Sequence, residues 1–363
     1  MQRFDPQTVL RPELGELKAY TPHLGTYEVR LDANEAPPLL GAPAKKKLAE
    51  AAAKTAWHQY PDAGQKDLRK AIAKRMGVKP NQVIVGVGSD ELITLLLTVA
   101  SRAKARAPAP TVLTTTPTFV MYRLSARIRG QRVMEVPLDA DWDLDEAGML
   151  RAIDMAQPNV IFIASPNNPT GTMVTRSRLE TVIEAAKSSI VVVDEAYVDY
   201  ADQHQLDLLE KYENVVILRT LSKIGFAALR IGWLVGSAAL VAELDKARLP
   251  YNLPTVSQTL GTLVLEELGD DISHICSYVK QERARLTTQL ATIRGVTVVP
   301  SQANFLWLKL DVPSGDVFTR LGKLGVLVRS FHGRGGRLEQ CLRVTVGTKE
   351  QNDRFIDALR EAL

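Results

Sequence analysis

The feature that most limits how this chain can fold is a series of short, nearly uninterrupted apolar and β-branched runs. They fall at residues 111–115, 132–136, 160–164 (Val-Ile-Phe-Ile-Ala), 190–193 (Ile-Val-Val-Val) and 215–218 (Val-Val-Ile-Leu). Segments with helical spacing separate several of them, at residues 118–128, 145–155 and 176–187. A strand that is apolar on both faces and separated from the next by a helix belongs in a mostly parallel sheet covered on both sides, so the spacing predicts an α/β fold. Upstream, the pattern predicts helices over 42–55 and 66–76. A strand over 82–87 then ends in Gly86-Val87-Gly88-Ser89, and an apolar helix over 90–103 follows directly. Folds of this kind place ligands at the carboxyl ends of their strands. The chemically unusual segments of this chain all follow strands.

The pattern changes after Pro254. One long amphipathic helix is expected over 256–294, then strands at 297–299, 305–310, 326–329 and 341–345, and a last helix over 349–362. Three parts result: an irregular, proline-punctuated arm (1–33), a large domain (34–253) and a smaller α+β domain (254–363).

With 363 residues, 45% of them hydrophobic, the chain can build sizeable cores. The longest uncharged apolar stretch, 231–242, is too short to span a bilayer and contains two glycines, and residues 1–20 show no charged-then-apolar leader. Two cysteines, Cys276 and Cys341, suggest no disulfide framework, and a cytoplasmic location is expected. The five histidines show no metal-ligand spacing, so no metal is expected. The net charge of +4 is dispersed; its one run, Lys45-Lys46-Lys47, reads as a solvated helix face rather than a nucleic-acid patch.

Three segments carry chemistry. The run from Asn214 to Arg219 leads into Thr220-Leu221-Ser222-Lys223, with Arg230 seven positions on. A strand thus delivers an amine to a sheet edge between anion-binding groups. A partly desolvated lysine can have its pKa pulled below the usual ~10.4 and can form a Schiff base with an aldehyde. Ser165-Pro166-Asn167-Asn168-Pro169-Thr170-Gly171 makes a rigid loop that offers the Asn168 amide at a strand end. Asp194-Glu195-Ala196-Tyr197 ends another strand. A carboxylate there requires a cationic partner, such as a protonated pyridine nitrogen, unless Asp194 simply caps a helix. Tyr197 could reach a neighbouring phenolate oxygen.

In this order, Asn-Pro-Thr-Gly, Asp-x-x-Tyr, Ser-Lys and Arg resemble the fold-type-I pyridoxal-phosphate (PLP) aminotransferases, and among them most closely the histidinol-phosphate aminotransferase family. The resemblance covers nearly the whole chain, from Leu31-Asp32-Ala33-Asn34-Glu35 through Tyr60-Pro61, Gly88-Ser89-Asp90-Glu91 and Pro117-Thr118-Phe119 to Leu342-Arg343-Val344-Thr345-Val346-Gly347-Thr348. It implies a large domain with a mostly parallel, doubly covered sheet and a smaller α+β C-terminal domain. It also implies that Lys223 holds PLP as an imine, that Asp194 pairs with the pyridinium nitrogen, and that Asn168 and Tyr197 bind the ring's 3-oxygen. Phe119, where many relatives carry Tyr, would stack on the ring or else pack in the core. Ser89, Asp90, Ser222 and Arg230 would cradle the phosphate at a helix N-terminus. Tyr60 would reach the phosphate of a second subunit, making a homodimer.

For the substrate, the resemblance assigns Arg343 to the acidic group, bound bidentately, and Arg329 to a second phosphate contact. Asn34, Tyr20 and Tyr251 join the substrate side, although Arg329, Tyr20 and Tyr251 read equally well as packing or surface residues. Arg334 and Arg337, in a glycine-rich loop, read as solvated.

The implied activity is amino transfer between histidinol phosphate, or imidazole acetol phosphate in reverse, and 2-oxoglutarate or glutamate, with Lys223 as general base. Alternatives are an aminotransferase for aromatic or other amino acids and a threonine-phosphate decarboxylase. A PLP-binding regulator is a third, but the irregular residues 1–33 leave no room for a helix-turn-helix ahead of the family match.

Overall fold

The computed structural model describes residues 4–17, 25–104 and 109–363. A seven-stranded sheet forms its centre, in the order β2-β8-β7-β6-β5-β3-β4. In chain order its strands are β2 (Val83–Val87), β3 (Thr111–Thr116), β4 (Arg132–Pro137), β5 (Val160–Ala164), β6 (Ile190–Asp194), β7 (Val215–Thr220) and β8 (Ile231–Val235); β1 (Val29–Arg30) lies elsewhere. Strands β3 to β7 pair in parallel, and β8 runs antiparallel between β2 and β7. Sequence reasoning missed β8, because Ile231 to Val235 continues into an apolar stretch without a turn signal.

Residues alternate between the two faces. In β5, Ile161 and Ile163 join one core, while Val160, Phe162 and Ala164 join the other. In β7, Val215 and Ile217 face one way and Val216 and Leu218 the other. Both faces are buried, and that is why the strands are continuously apolar.

Around this sheet lie α1 (Ala42–Ala53), α2 (Lys66–Met76), α3 (Gly88–Val99), α4 (Val120–Ile128), α5 (Glu146–Ala156), α6 (Arg176–Ala185), α7 (Leu208–Lys211) and α8 (Ala238–Ala247). The helix expected over 256–294 is two. Helix α9 (Thr255–Glu267) ends at the buried Leu268, and α10 (Gly269–Leu290) starts afresh. Helix α9 packs on α1 and α2. Helix α10 contributes Ile272, Cys276 and Val279 to the main core, and Leu286 and Leu290 to a second one.

That second core underlies an antiparallel sheet ordered β12-β13-β10-β9, made of β9 (Val296–Val299), β10 (Phe305–Leu310), β12 (Arg329–Ser330) and β13 (Cys341–Thr345). The strand expected over 326–329 is split, since β11 (Val326–Leu327) pairs in parallel with β1. Helices α11 (Ser314–Lys323) and α12 (Lys349–Ala362) cover it; α12 opens on a capping box between Thr348 and Gln351. No helix among the described residues is long and apolar enough to cross a membrane.

Candidate active site

The carboxyl edge of the large sheet opens into a cavity of about 430 Å³. Its walls include the ends of β3, β5, β6 and β7, the start of α3, and the β12–β13 edge of the second sheet. Asp32, Ala33 and Asn34 complete it from the N-terminal side.

Lys223 ends a 3₁₀ turn directly after β7, shaped by the Thr220 side chain, which accepts from Ser222 N at 3.0 Å. The Lys223 amine lies in the cavity, 3.5 Å from the Ala33 carbonyl oxygen. The Tyr200 hydroxyl donates to the Lys223 carbonyl, fixing the turn from below.

Asp194, the last residue of β6, is 4% exposed. Its Oδ1 accepts from Ala196 N at 3.0 Å and its Oδ2 from the Tyr122 hydroxyl at 2.5 Å. Burial pushes its carboxyl up to about 6, although both hydrogen bonds pull the other way. The next residue, Glu195, is fully buried; Arg219 meets it at 2.7 Å and Gln205 N donates to it at 2.6 Å. That pair keeps a second carboxylate, just beyond the strand end, from standing alone.

Tyr197, Asn168, Asn34 and Arg343 form one hydrogen-bonded chain. Asn34 Nδ2 donates to the Tyr197 hydroxyl oxygen at 3.0 Å, and Asn168 Nδ2 donates to it at 3.4 Å. Arg343 donates to Asn168 Oδ1 at 2.6 Å and to the Asp32 carbonyl at 2.5 Å. Asn34 in turn is tied to Thr345, at 3.0 Å from its backbone N–H. Arg343 and Arg329 are cross-strand partners, so both project from one face of the pair into the cavity.

Ser89, Asp90, Ser222 and Arg230 meet at the N-terminus of α3. Arg230 donates to the Ser222 hydroxyl at 3.3 Å, and its carbonyl accepts from Gly88 N at 2.9 Å. Two glycines make this approach feasible. Gly88 has φ +74° and a Cβ there would lie 2.7 Å from the Arg230 guanidinium; a Cβ on Gly232 would lie 2.5 Å from Ser89 N. The first turn of a helix leaves N–H groups without intrahelical acceptors, and the helix dipole favours an anion there.

Phe119 lines the cavity at the start of α4, edge-on to Tyr122 with ring centroids 5.6 Å apart. Tyr60 and Tyr251 stack on each other with centroids 4.8 Å apart, and neither lines this chain's own cavity. Tyr20 falls outside the described residues.

Sequence reasoning missed Tyr122, which is fully buried and lines the cavity. Its spacing of three from Phe119 was the available signal, since such residues share a helix face. Arg334 and Arg337 are exposed, as expected, but each also has a partner that the sequence did not show. Arg334 lines the cavity, and Arg337 stacks on Trp142, 3.6 Å from the ring centroid, while donating to the Leu138 and Asp139 carbonyls. Partial desolvation of that otherwise exposed cation lowers its pKa. These contacts were not legible in the sequence because their partners are distant in it.

A parallel sheet with an amine, a buried carboxylate and an anion cradle at its carboxyl edge defines a class, and sequence comparison gives it a name. The chain belongs to the family Aminotransferase class I and II, whose sequence pattern matches residues 23–359. Among its relatives are the histidinol-phosphate aminotransferases of Methylibium petroleiphilum and Aquifex aeolicus. The first is 38% identical over 98% of this chain and 94% of that protein. The second is 37% identical over 96% of each. The fold also matches the crystal structure of histidinol-phosphate aminotransferase from Sinorhizobium meliloti in complex with pyridoxal-5'-phosphate, with TM-score 0.86 and 24% identity over 98% of this chain and 97% of that one.

Proposed function

We propose that this enzyme binds pyridoxal 5'-phosphate and transfers the amino group of histidinol phosphate to 2-oxoglutarate. One observation carries the reading. A single cavity holds the Lys223 amine and the Asp194 carboxylate at its base, a helix N-terminus with Arg230 on one side, and the Arg329–Arg343 pair on the other.

The donor set fits the cofactor. Asp194 is a buried acid whose charge is stranded without a cationic neighbour, which a pyridinium nitrogen supplies. Gly88 and Gly232 let the Arg230 guanidinium and strand β8 close on the first turn of α3, where Ser89, Asp90, Ser222 and Arg230 would hold a phosphate. Tyr197 and Asn168, which share a hydrogen bond, would hydrogen-bond the ring's 3-oxygen, and Phe119 would cover a ring face.

When bound, pyridoxal phosphate supplies an aldehyde that condenses with amines and a ring that accepts the electron pair left when a carbon loses its proton. The Lys223 Nζ would hold the aldehyde in the resting enzyme. With substrate bound, that Nζ would serve as the base that takes the proton from the substrate carbon bearing nitrogen. Asp194, held ionised, keeps the ring nitrogen's proton in place. Arg343 and Arg329 give two guanidinium forks for an acidic group, which suits both a substrate phosphate and the carboxylate of 2-oxoglutarate. Asn34 would join the substrate side through Tyr197, the arm meets Arg343 through the Asp32 carbonyl, and Tyr20 and Tyr251 would line the substrate side, Tyr251 from a second subunit.

In this reading residues 34–253 hold the cofactor, and residues 254–363 with the 1–33 arm close over it. The chain works as a cytoplasmic homodimer. Tyr60, 82% exposed, together with Trp57, Leu249 and Tyr251, gives an apolar surface suited to a second subunit, and Tyr60 would reach the partner's phosphate site.

The test is an assay of histidinol phosphate with 2-oxoglutarate, run beside phenylalanine and threonine phosphate. Histidinol phosphate should be the preferred substrate. Lys223→Ala should lose turnover and the borohydride-fixed adduct at position 223. Equal or faster use of either rival substrate refutes the substrate, and a wild-type rate in Lys223→Ala refutes the mechanism.

A further inference from the structure

The reading above leaves one fully buried, ionisable side chain at the cavity without a role. Tyr122 sits on α4 with its ring stacked on Phe162, centroids 4.6 Å apart and planes within 5°. Its hydroxyl donates to Asp194 Oδ2 at 2.5 Å. The second oxygen of Asp194 accepts from Ala196 N, so each carboxylate oxygen is braced by its own donor.

We infer that Tyr122 is a positioning residue: its hydroxyl holds Asp194 ionised and aims that carboxylate at the cationic ring nitrogen of the bound cofactor. This rests on the proposed use of pyridoxal phosphate.

Three observations support it. First, phenylalanine would fill the space and stack on Phe162 equally well without burying a hydroxyl that then needs a partner. Here a polar atom is spent on the one acid whose charge the reaction requires, and a hydrogen bond to a charged group is among the stronger ones. Second, the proton stays on Tyr122. Burial and the adjacent carboxylate push the phenol well above its usual range, so it acts as a donor and not as a second anion. Third, the surroundings oppose ionisation of Asp194. Asp90 from α3 and Glu195, the residue after β6, both raise its pKa, as burial does, and the Tyr122 hydrogen bond is the largest influence lowering it. Glu195 is matched by Arg219, and Asp90 faces Lys223 and Arg230. Tyr197 lies near Tyr122 from beyond the end of β6. No cation in that set replaces Tyr122 at Oδ2.

The experiment compares Tyr122→Phe with the wild-type holoenzyme. The variant keeps the ring and its stack, so its melting temperature should stay within a few degrees. Its affinity for pyridoxal phosphate should fall about tenfold, from loss of one hydrogen bond to a charged group. The acid limb of its kcat–pH profile should move up by about one unit, because Asp194 then protonates more readily. Phe162→Leu loosens the same ring without touching the hydroxyl; it should lower the melting temperature and leave the acid limb in place.

As a second measurement that spares Tyr122, infrared difference spectra of the wild-type holoenzyme against Asp194→Asn should show a carboxylate band at neutral pH. A protonated carboxyl band there overturns the inference. So does a Tyr122→Phe enzyme with wild-type affinity and an unmoved acid limb beside a normally loaded wild type. A wild type that binds no cofactor removes the reading above, and this inference with it.

Discussion

The buried acid at the end of β6 makes the cofactor-free protein unstable in a way that can be measured. In the fold the Asp194 carboxyl is pushed from 3.8 to about 6 by burial. A rise of about two units corresponds to about 3 kcal/mol at 1.36 kcal/mol per unit. Between pH 4 and 6 the folded state holds this proton while the unfolded chain releases it. More protons are therefore bound in the folded state, and stability falls as pH rises through that window. Below pH 4 the contribution is fully present; above pH 6 it is gone.

Asp194→Asn has no proton to lose. The difference in unfolding free energy, variant minus wild type, should therefore grow by about 3 kcal/mol between pH 4 and pH 7 in the cofactor-free proteins. Urea unfolding of both at several pH values reads this directly, since other titrating groups cancel in the difference. Adding pyridoxal phosphate at pH 7 should reverse the ranking, because a cationic ring nitrogen favours the carboxylate. A difference that stays flat across the window refutes the account of Asp194 as a buried, charge-stranded acid.

Two further outcomes are expected. Gly232→Ala sets a methyl 2.5 Å from Ser89 N; it should destabilise the fold by about 1–3 kcal/mol, as overpacking does. It should also weaken binding of pyridoxal phosphate more than binding of unphosphorylated pyridoxal in titrations, and equal losses for the two would refute the placement of the phosphate. Arg219→Met strands the fully buried Glu195 carboxylate and should cost about 3–5 kcal/mol in chemical unfolding. Adding Glu195→Gln should recover most of that loss, and no recovery would show that the pair is not the cause.

Where local signals agree with tertiary demand, the sequence was readable to the residue. The runs at Val160–Ala164 and Phe305–Leu310 are strands with the expected ends, because the first is buried on both faces and the second everywhere but at Lys309. Lys66–Met76 stops at Gly77, which takes the left-handed conformation that ends a helix. The break between α9 and α10 was not readable, since Leu268 keeps the apolar rhythm while its own backbone leaves the helix. In the site, the polar residues at strand ends announced themselves by contrast with the apolar runs before them. Tyr122 did not, because on α4 it looks like one more core aromatic until its hydroxyl is seen against Asp194. Arg337 was hidden for another reason: what it touches, Trp142 and the Leu138 carbonyl, lies nearly two hundred positions away.

The embedding of α10 in both cores has a mechanical consequence. Its 22 residues make a rod about 33 Å long at 1.5 Å per residue. One end is anchored by Ile272, Cys276 and Val279 and the other by Leu286 and Leu290. A member clamped at both ends transmits torque, so the arginine-bearing sheet cannot tilt over the cavity independently of it. Between the anchors, Arg283 reaches the Tyr200 and Ala303 carbonyls, and Tyr200 also supports the lysine turn. Any swing of the outer lobe is thereby geared to the loop that carries Lys223.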